Sequence, residues 1–256
     1  MSLPIISIVM IAHNEELNIE RSIKSIQNQT FKDWELIIIN DGSFDKTAEI
    51  IKNYSFKDKR IILITNNKKI GRPKCSNLGI KYSRAKLIAR LDADDISLPD
   101  RLEKQYKFLL KNPNIDVLGA GAHIYDDEHN FIKTVLMPED HNSLKNLNFL
   151  KTPFFHSSVM IRKRFFDKVG NYNRDFLRSS DKELWLRGLK YGSVYSNLSE
   201  PLIEFTQNNA TETKMQKIIL SCKSLVKLKN IYKPKFGNIL VIIYFFISVL
   251  NYIRKS

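Results

Sequence analysis

Three carboxylates fall within four residues at Asp92-Ala93-Asp94-Asp95. Crowded like charges raise one another's pKa unless a cation stands among them. A cluster that offers only oxygen suits Mg2+ or Mn2+, ions that take one or two carboxylates together with the phosphates of a substrate. The same acids would also serve as a solvated turn that caps a helix at 98–110, and spacing alone does not separate the two readings. A further acid sits in Asn40-Asp41-Gly42-Ser43. An Asp-Gly pair in such a place is first of all a turn, and it gains a chemical reading only if it lies beside the acidic cluster. His156 is either a strand histidine satisfied by a neighbour or a contact for a substrate group. Asp181 opens a helical pattern in which Trp185 reads as packing, and Met137, Met160 and the scattered phenylalanines read as core.

The elements that must position these residues alternate. Ile5–Ile11 is short, β-branched and apolar, a buried strand; a helical pattern begins at Asn14 and carries Leu17, Ile19, Ile23 and Ile26. Strands follow at 35–39, 60–65, 87–91 and 115–122. Helices lie between them at 45–54, with Asp45 as N-cap, at 74–83, and at 99–110, with Pro99 at its entry. Such alternation predicts an α/β fold with a mostly parallel sheet, whose ligands bind at the carboxyl ends of the strands. That rule selects the residues after Ile11, after Ile39 and after Leu91, so Asp41 and the acidic cluster share a rim. The second half is less regular, with strands expected at 154–161 and 202–206 and a helix at 181–189.

The chain has 256 residues and a formal net charge of +14. Such a balance favours anionic partners. No zinc-ligand spacing, RNA-binding aromatic signature or helix-turn-helix pattern supports nucleic acid among them. Cys75 and Cys222 are far apart and match no metal-ligand spacing, which reads as two reduced thiols. The apolar run at 3–12 has no basic residue before it and reads as a strand, not a signal peptide, so the catalytic part is expected in the cytoplasm.

An ordered set of short motifs resembles glycosyltransferase family 2. It comprises Ser7-Ile8-Val9-Met10-Ile11-Ala12-His13-Asn14-Glu15, Gln29-Thr30-Phe31, the run from Trp34 through Asp41-Gly42-Ser43 to Thr47, Gly71, Asn77-Leu78-Gly79-Ile80, Leu91-Asp92-Ala93-Asp94-Asp95 and Pro99-Asp100-Arg101-Leu102. It thins later but continues through His156-Ser157-Ser158-Val159-Met160 and Asp181-Lys182-Glu183-Leu184-Trp185-Leu186-Arg187. The resemblance implies the GT-A fold, a Rossmann-like sheet flanked by helices. It implies transfer of a sugar, with inversion, from a nucleotide diphosphate donor, UDP favoured, to a hydroxyl acceptor. The transfer would be that of a hexosyl or N-acetylhexosaminyl transferase. Asp41 matches the residue that hydrogen-bonds the base, and His13 stands where many members stack an aromatic ring on it. Ala12, Asn14, Glu15, Gly42, Asn77, Ala93 and His156 fall in the donor surround. Asp92 and Asp94 match the paired acids, Asp94 for direct ligation of Mn2+ or Mg2+ and Asp92 nearer the ribose or a bound water, with Asp95 able to share the ion. Asp181 matches the general base.

The chemistry is coherent on its own terms. The leaving nucleoside diphosphate gains negative charge, which a metal stabilises, and Arg72, Lys74 or Arg90 can add positive charge. The acceptor hydroxyl must lose a proton to a carboxylate. A single displacement needs one base and no second carboxylate as nucleophile. Three positions depart from the family pattern: Ala12 for a proline, Asn40 for the first of two acids, and Ser180 for a glutamate before the base. A sugar-nucleotide pyrophosphorylase would need a Gly-rich, basic loop after the first strand, and Ala12-His13-Asn14-Glu15-Glu16 has neither glycine nor lysine. A nucleotide-sugar-binding scaffold without turnover is the non-enzymatic alternative, allowed by His13 and Ser180.

The expected organisation is a catalytic domain at 1–210, with a donor half at 1–125 and an acceptor half at 126–210, followed by a basic, apolar helical segment at 211–256. From Thr213 onward no residue is acidic. A helix over 236–253 would reach roughly 27 Å against about 30 Å of bilayer hydrocarbon, a marginal span. A helix at 215–229 places Ile218, Ile219, Cys222, Leu225 and Val226 on one face with Lys217, Lys223, Lys227 and Lys229 able to snorkel. The expectation is a helix pair on or in the inner leaflet, beside a glycan or lipid-linked acceptor of cell-surface polysaccharide or glycolipid synthesis. The same residues would also make a core hairpin or a dimer interface.

Overall fold

The runs rich in isoleucine, valine and leucine form the centre of a nine-stranded sheet among the described residues. A computed structural model describes residues 3–147, 152–207, 226–228 and 230–232. The first half gives β1 (Ile6–Ala12), α1 (Ile19–Gln27), β2 (Trp34–Asn40), α2 (Thr47–Lys57), β3 (Ile61–Thr65), α3 (Arg72–Tyr82), β4 (Leu87–Asp92), β5 (Ile96–Ser97), α4 (Arg101–Lys111) and β6 (Val117–Tyr125). The second gives β7 (Phe131–Val135), α5 (His141–Leu147), a 3-10 turn at His156–Ser158, β8 (Met160–Arg162), α6 (Lys163–Val169), α7 (Ser180–Lys190) and β9 (Tyr195–Thr206). The strand order is β3-β2-β1-β4-β8-β6-β9-β5, with β7 beside β6. The four strands β1 to β4 pair in parallel, as do β6 and β9, while β5, β7 and β8 run antiparallel to their neighbours.

β2 is buried at every position because helices cover both faces of the sheet, which is why it reads as an unbroken apolar run. Successive side chains go to opposite layers. Ile8, Met10, Leu36, Ile38, Ala89 and Leu91 pack under α1, whose Ile19, Ile23 and Ile26 form the buried stripe of an amphipathic helix. Val9, Ile88 and Val117 face the other way, toward Phe165 and Trp185. Each such side chain contributes about 1.5–3 kcal/mol on burial. The register pairs Ala12 with Asn40 and Ile11 with Asp92, so the ends of β2, β1 and β4 lie side by side. Tyr125 pairs with Thr206, which brings the ends of β6 and β9 to the same rim.

Several expected elements are corrected. α1 begins at Ile19, not Asn14. Asn14 has φ +58°, outside the helical region, and residues 14–16 bond instead to the loop after β2. Leu17 is accordingly exposed. The stretch 154–161 is a 3-10 turn followed by a three-residue strand, because its side chains from Ser157 to Ile161 are all buried and show no alternation. Phe44, Phe56 and Phe131 are exposed and Met137 only half-buried, so not all of these side chains are core; Met160 is. β5, β7, α5, α6 and the first half of β9 carry weak periodicity and were not foreseen. The segments 215–225 and 236–253 lie outside the described residues. Of the apolar face expected over 215–229, Val226 is exposed; Leu228, not among the residues expected on that face, is fully buried. Among the described residues no helix is long and apolar enough to cross a membrane.

Candidate active site

The acidic turn is pinned from both sides. Asp92 ends β4, and its amide donates to the Ser157 hydroxyl at 3.1 Å. The Asp95 amide donates back to the Asp92 carbonyl at 3.2 Å. The Ser22 hydroxyl of α1 lies 2.7 Å from the carbonyls of both Ala93 and Asp95. From β9, Thr206 donates its amide to Asp95 Oδ1 at 2.9 Å and its hydroxyl to the Asp94 carbonyl at 2.6 Å. These acids do not cap the next helix, which starts at Arg101 with Asp100 as its N-cap.

One carboxylate oxygen from each of Asp92, Asp94 and Asp95 lies within 4.8 Å of the other two. Asp95 is 1% exposed, and its Oδ2 is buried without a hydrogen-bond partner. Burial, followed by the charges of Asp94 and Asp92, pushes the Asp95 carboxyl well above its ordinary value. Asp92 is shifted the other way. Burial would raise it, but Arg72, His156 and Arg90 together outweigh burial and hold it low. Arg72 Nη1 is 3.4 Å from Asp92 Oδ2, and Arg90 Nη2 is 3.8 Å from Oδ1. Arg90 is otherwise buried with Nε and Nη1 unpartnered. An orphaned buried oxygen in an oxygen-only, mutually repelling cluster fits a hard divalent cation such as Mg2+ or Mn2+.

Asp41 follows β2 and is gripped by its surroundings. Its Oδ1 accepts from the Ile70 amide at 2.8 Å and from Asn66 Nδ2 at 3.1 Å, and its Oδ2 accepts from the Gly71 amide at 2.9 Å. Burial would raise this carboxyl, but the two amides, the Cys75 thiol and Asn66 hold it below the usual carboxylate range. Cys75 is itself pushed up to about 12 by burial and by Asp41, so it stays a thiol. Gly42 takes φ +67°, and a Cβ there would stand 2.7 Å from the Lys68 carbonyl carbon, so only glycine lets the two loops meet. Asn40, in place of an acid, accepts from the Ser43 amide and hydroxyl at 3.2 and 2.6 Å and so closes the turn.

The loop after β1 interlocks with this one. Ala12 is buried, and its carbonyl accepts from the Asp41 amide at 2.8 Å. His13 Nδ1 lies 2.9 Å from the Asp41 carbonyl, which makes Nδ1 the protonated nitrogen. Asn14 donates its amide to Ser43 Oγ and accepts from the Phe44 amide, both at 3.1 Å. The Glu15 amide donates to Thr47 Oγ1 at 2.7 Å. Burial, the largest influence, raises the Glu15 carboxyl, and Asp94 and Asp92 add to the effect. Exposed Phe44 meets the His13 ring edge-on at 6.3 Å and adds an aromatic to this rim.

The second half of the chain closes over the end of β4. His156 Nε2 lies 2.8 Å from the Tyr172 hydroxyl. Burial, reinforced by Arg90, pushes His156 down to about 4. The Tyr172 hydroxyl is pushed far above its ordinary value, by burial first and then by Asp181 and Asp92. Asp181, half-buried in the first turn of α7, therefore shares the field of His156, Tyr172 and Asp92. Its neighbour Lys182 is buried and pushed down to about 8 by that burial. Asn77 gives both ends of its amide to the Tyr172 backbone, each at 2.9 Å, so it clamps the loop around Tyr172. Lys74 makes no described contact with the cluster, and Ser180 simply opens α7.

Sequence reasoning missed Asn66, Tyr172, Thr206, Lys182 and Phe44. Asn66, Tyr172 and Thr206 act across a long sequence separation that no local spacing marks, while Phe44 and Lys182 fall inside the motif runs with nothing in their type to single them out. Arg72 and Arg90, named before only as a source of charge, are placed on Asp92.

Comparison with known proteins bears on this arrangement. The family model described as "Glycosyl transferase family 2" matches residues 7–170. The O-antigen biosynthesis glycosyltransferase WbnJ of Escherichia coli is 33% identical over 252 residues, 97% of this chain and 97% of its own. S. aureus TarS 1–349 in complex with UDP superposes with a TM-score of 0.66 at 16% identity, over 88% of this chain and 72% of that one. The mannosyltransferase PcManGT from Pyrobaculum calidifontis, in complex with GDP-Man and Mn2+, gives 0.68 at 14% identity, over 96% and 70%. At such identities the two structures speak to the fold alone.

Proposed function

The chain belongs to glycosyl transferase family 2, and from that premise we propose that it moves a sugar from a UDP-sugar to a hydroxyl acceptor with inversion at the anomeric carbon. The observation that carries this reading is the convergence of the Asp92, Asp94 and Asp95 oxygens within 4.8 Å on a rim shared with Asp41. Asp94 and Asp95 hold the Mn2+ or Mg2+ ion, and Asp92 completes the set or faces the ribose. When bound, that ion offsets the charge that builds on the departing diphosphate. Asp41 hydrogen-bonds the base, and His13 and Phe44 supply ring surface beside it. Arg72 is exposed enough to turn toward phosphate oxygens.

Asp181 takes the proton of the attacking hydroxyl. As the acceptor oxygen bonds the anomeric carbon, the bond from that carbon to the phosphate oxygen breaks, and the nucleoside diphosphate leaves with its electron pair. His156, held low, and the Tyr172 hydroxyl, held high, both feel Asp92 and Asp181 and do not compete for that proton.

The wider setting follows by likeness. A relative named for O-antigen biosynthesis supports a role in bacterial cell-surface polysaccharide or glycolipid synthesis, with a glycan or lipid-linked acceptor. The run of lysines without acids in 213–256 supports contact with an anionic inner leaflet, each basic residue adding on the order of 1 kcal/mol. This contact predicts sedimentation with phosphatidylglycerol vesicles and none with phosphatidylcholine. The test of the chemistry is release of UDP from UDP-hexoses and UDP-N-acetylhexosamines, with GDP-mannose as a comparison, in Mn2+ or Mg2+ and in EDTA. Release that requires the metal supports the reading; release unchanged by the chelator overturns the metal's part in it.

A further inference from the structure

We propose that Tyr232, with Leu228 beside it, is a positioning residue that holds the base-carrying helix α7 in its working place. The inference rests on the reading of Asp181 as the base. Asp181 lies just after Ser179, which takes φ +57° and makes no side-chain cap bond. A left-handed residue other than glycine is strained and persists only where its surroundings hold it. The structure supplies that hold from a segment some fifty residues further along the chain.

The segment holds both α7 and the loop that leads into it, on either side of Asp181 in the sequence. Before it, Lys227 Nζ donates to the Asp175 carbonyl at 3.0 Å and sits 4.4 Å from the centre of the Phe176 ring. Leu228 is fully buried and clusters with Phe176, Leu186 and Tyr232. After Asp181, the Tyr232 hydroxyl donates to Glu183 Oε1 at 2.7 Å. Glu183 is buried, and Arg187 holds it through Nε at 3.0 Å and Nη2 at 2.9 Å. Arg187 also donates to the carbonyls of Val169 and, at 2.8 Å, of Asn171. The next residue is Tyr172, which Asn77 clamps and which meets His156. An unbroken chain of contacts thus joins Tyr232 to the loop that faces the acidic turn. The buried Glu183 carboxylate makes the link strong, since hydrogen bonds to a charged partner are the costly ones to lose.

The experiment compares full-length Y232F and L228A with the parent at a temperature well below unfolding. It reads kcat and donor KM for UDP release, the thermal shift given by UDP with Mn2+, and amide exchange over 173–187. Y232F is expected to lower kcat about tenfold, since a base displaced by a fraction of an ångström loses its near-attack geometry. L228A should lower it at least as far. Donor KM and the UDP shift should stay within about twofold of the parent, and amides 173–187 should exchange faster. An unchanged kcat overturns the proposal, even with faster exchange. So does loss of the UDP shift, because the segment would then support the whole fold and not the base. D181N tests the underlying reading separately: undiminished turnover there removes the base assignment, whatever Y232F shows.

Discussion

The proposed donor rim and the proposed acceptor side of this molecule are held by different means. On that rim, backbone amides and two hydroxyls hold the acids in place. Asp41 is fixed by its own turn and by the amides of Ile70 and Gly71, and the acidic turn by Ser22 and Thr206. On the acceptor side, Asp181 sits on a short helix after a left-handed residue, steadied by side chains from residues 77, 172, 187 and 232. On the proposed reading, binding rests mainly on backbone geometry and proton transfer on side-chain packing. The first tolerates few substitutions at the turn itself; the second is open to adjustment from a distance.

Several substitutions sharpen or break this contrast. Asp181→Asn is expected to cost on the order of 10²–10⁴-fold in turnover while leaving UDP binding nearly intact, as read by steady-state kinetics beside calorimetry. Asp94→Asn should cost on the order of 10²–10³-fold and also remove the stimulation by Mn2+; a variant that keeps its metal response contradicts the cation site. Gly42→Ala places a side chain at φ +67° against the Lys68–Lys69 backbone. The conformational strain alone is about 1–2 kcal/mol, so UDP should bind roughly tenfold more weakly, with kcat on saturating donor little changed. Equal loss of kcat would mean that the donor turn also shapes the reacting geometry.

The last effect concerns pH and is read on stability instead of on binding or turnover. His156 is held down to about 4 in the folded protein, against about 6.5 for a free imidazole. Above pH 6.5 the ring is neutral in both states and costs nothing. Below that the unfolded chain binds the proton first, so stability falls as pH drops from 6.5 to 4, by at most about 3 kcal/mol. Thermal melts of His156→Gln should show a flatter acid limb over that interval; an identical limb would exclude His156 as its source.

The same contrast explains what could be read in advance. The parallel order of β1, β2 and β4, the shared rim of Asp41 and Asp92, and the family itself were legible because each is written in contiguous residues with strong periodicity. Helix α1 was placed too early because Leu17 fits the apolar spacing while Asn14 turns the chain out of the helix. Asn77 was read as a donor contact from its motif, yet its partner Tyr172 lies 95 residues away, where no spacing rule reaches. β9 is broken by Pro201 and two register shifts, which erase its alternation. Thr206, Lys182 and Tyr232 gain their places only through tertiary contacts.

The central claim is that Asp94 serves the donor and its metal while Asp181 serves only the proton. UDP binding measured calorimetrically, with and without Mn2+, in the parent, D94N and D181N tests it most directly. The account predicts metal-dependent binding of equal strength in the parent and D181N, and loss of the metal dependence in D94N. Metal-dependent binding that survives in D94N but disappears in D181N would contradict it.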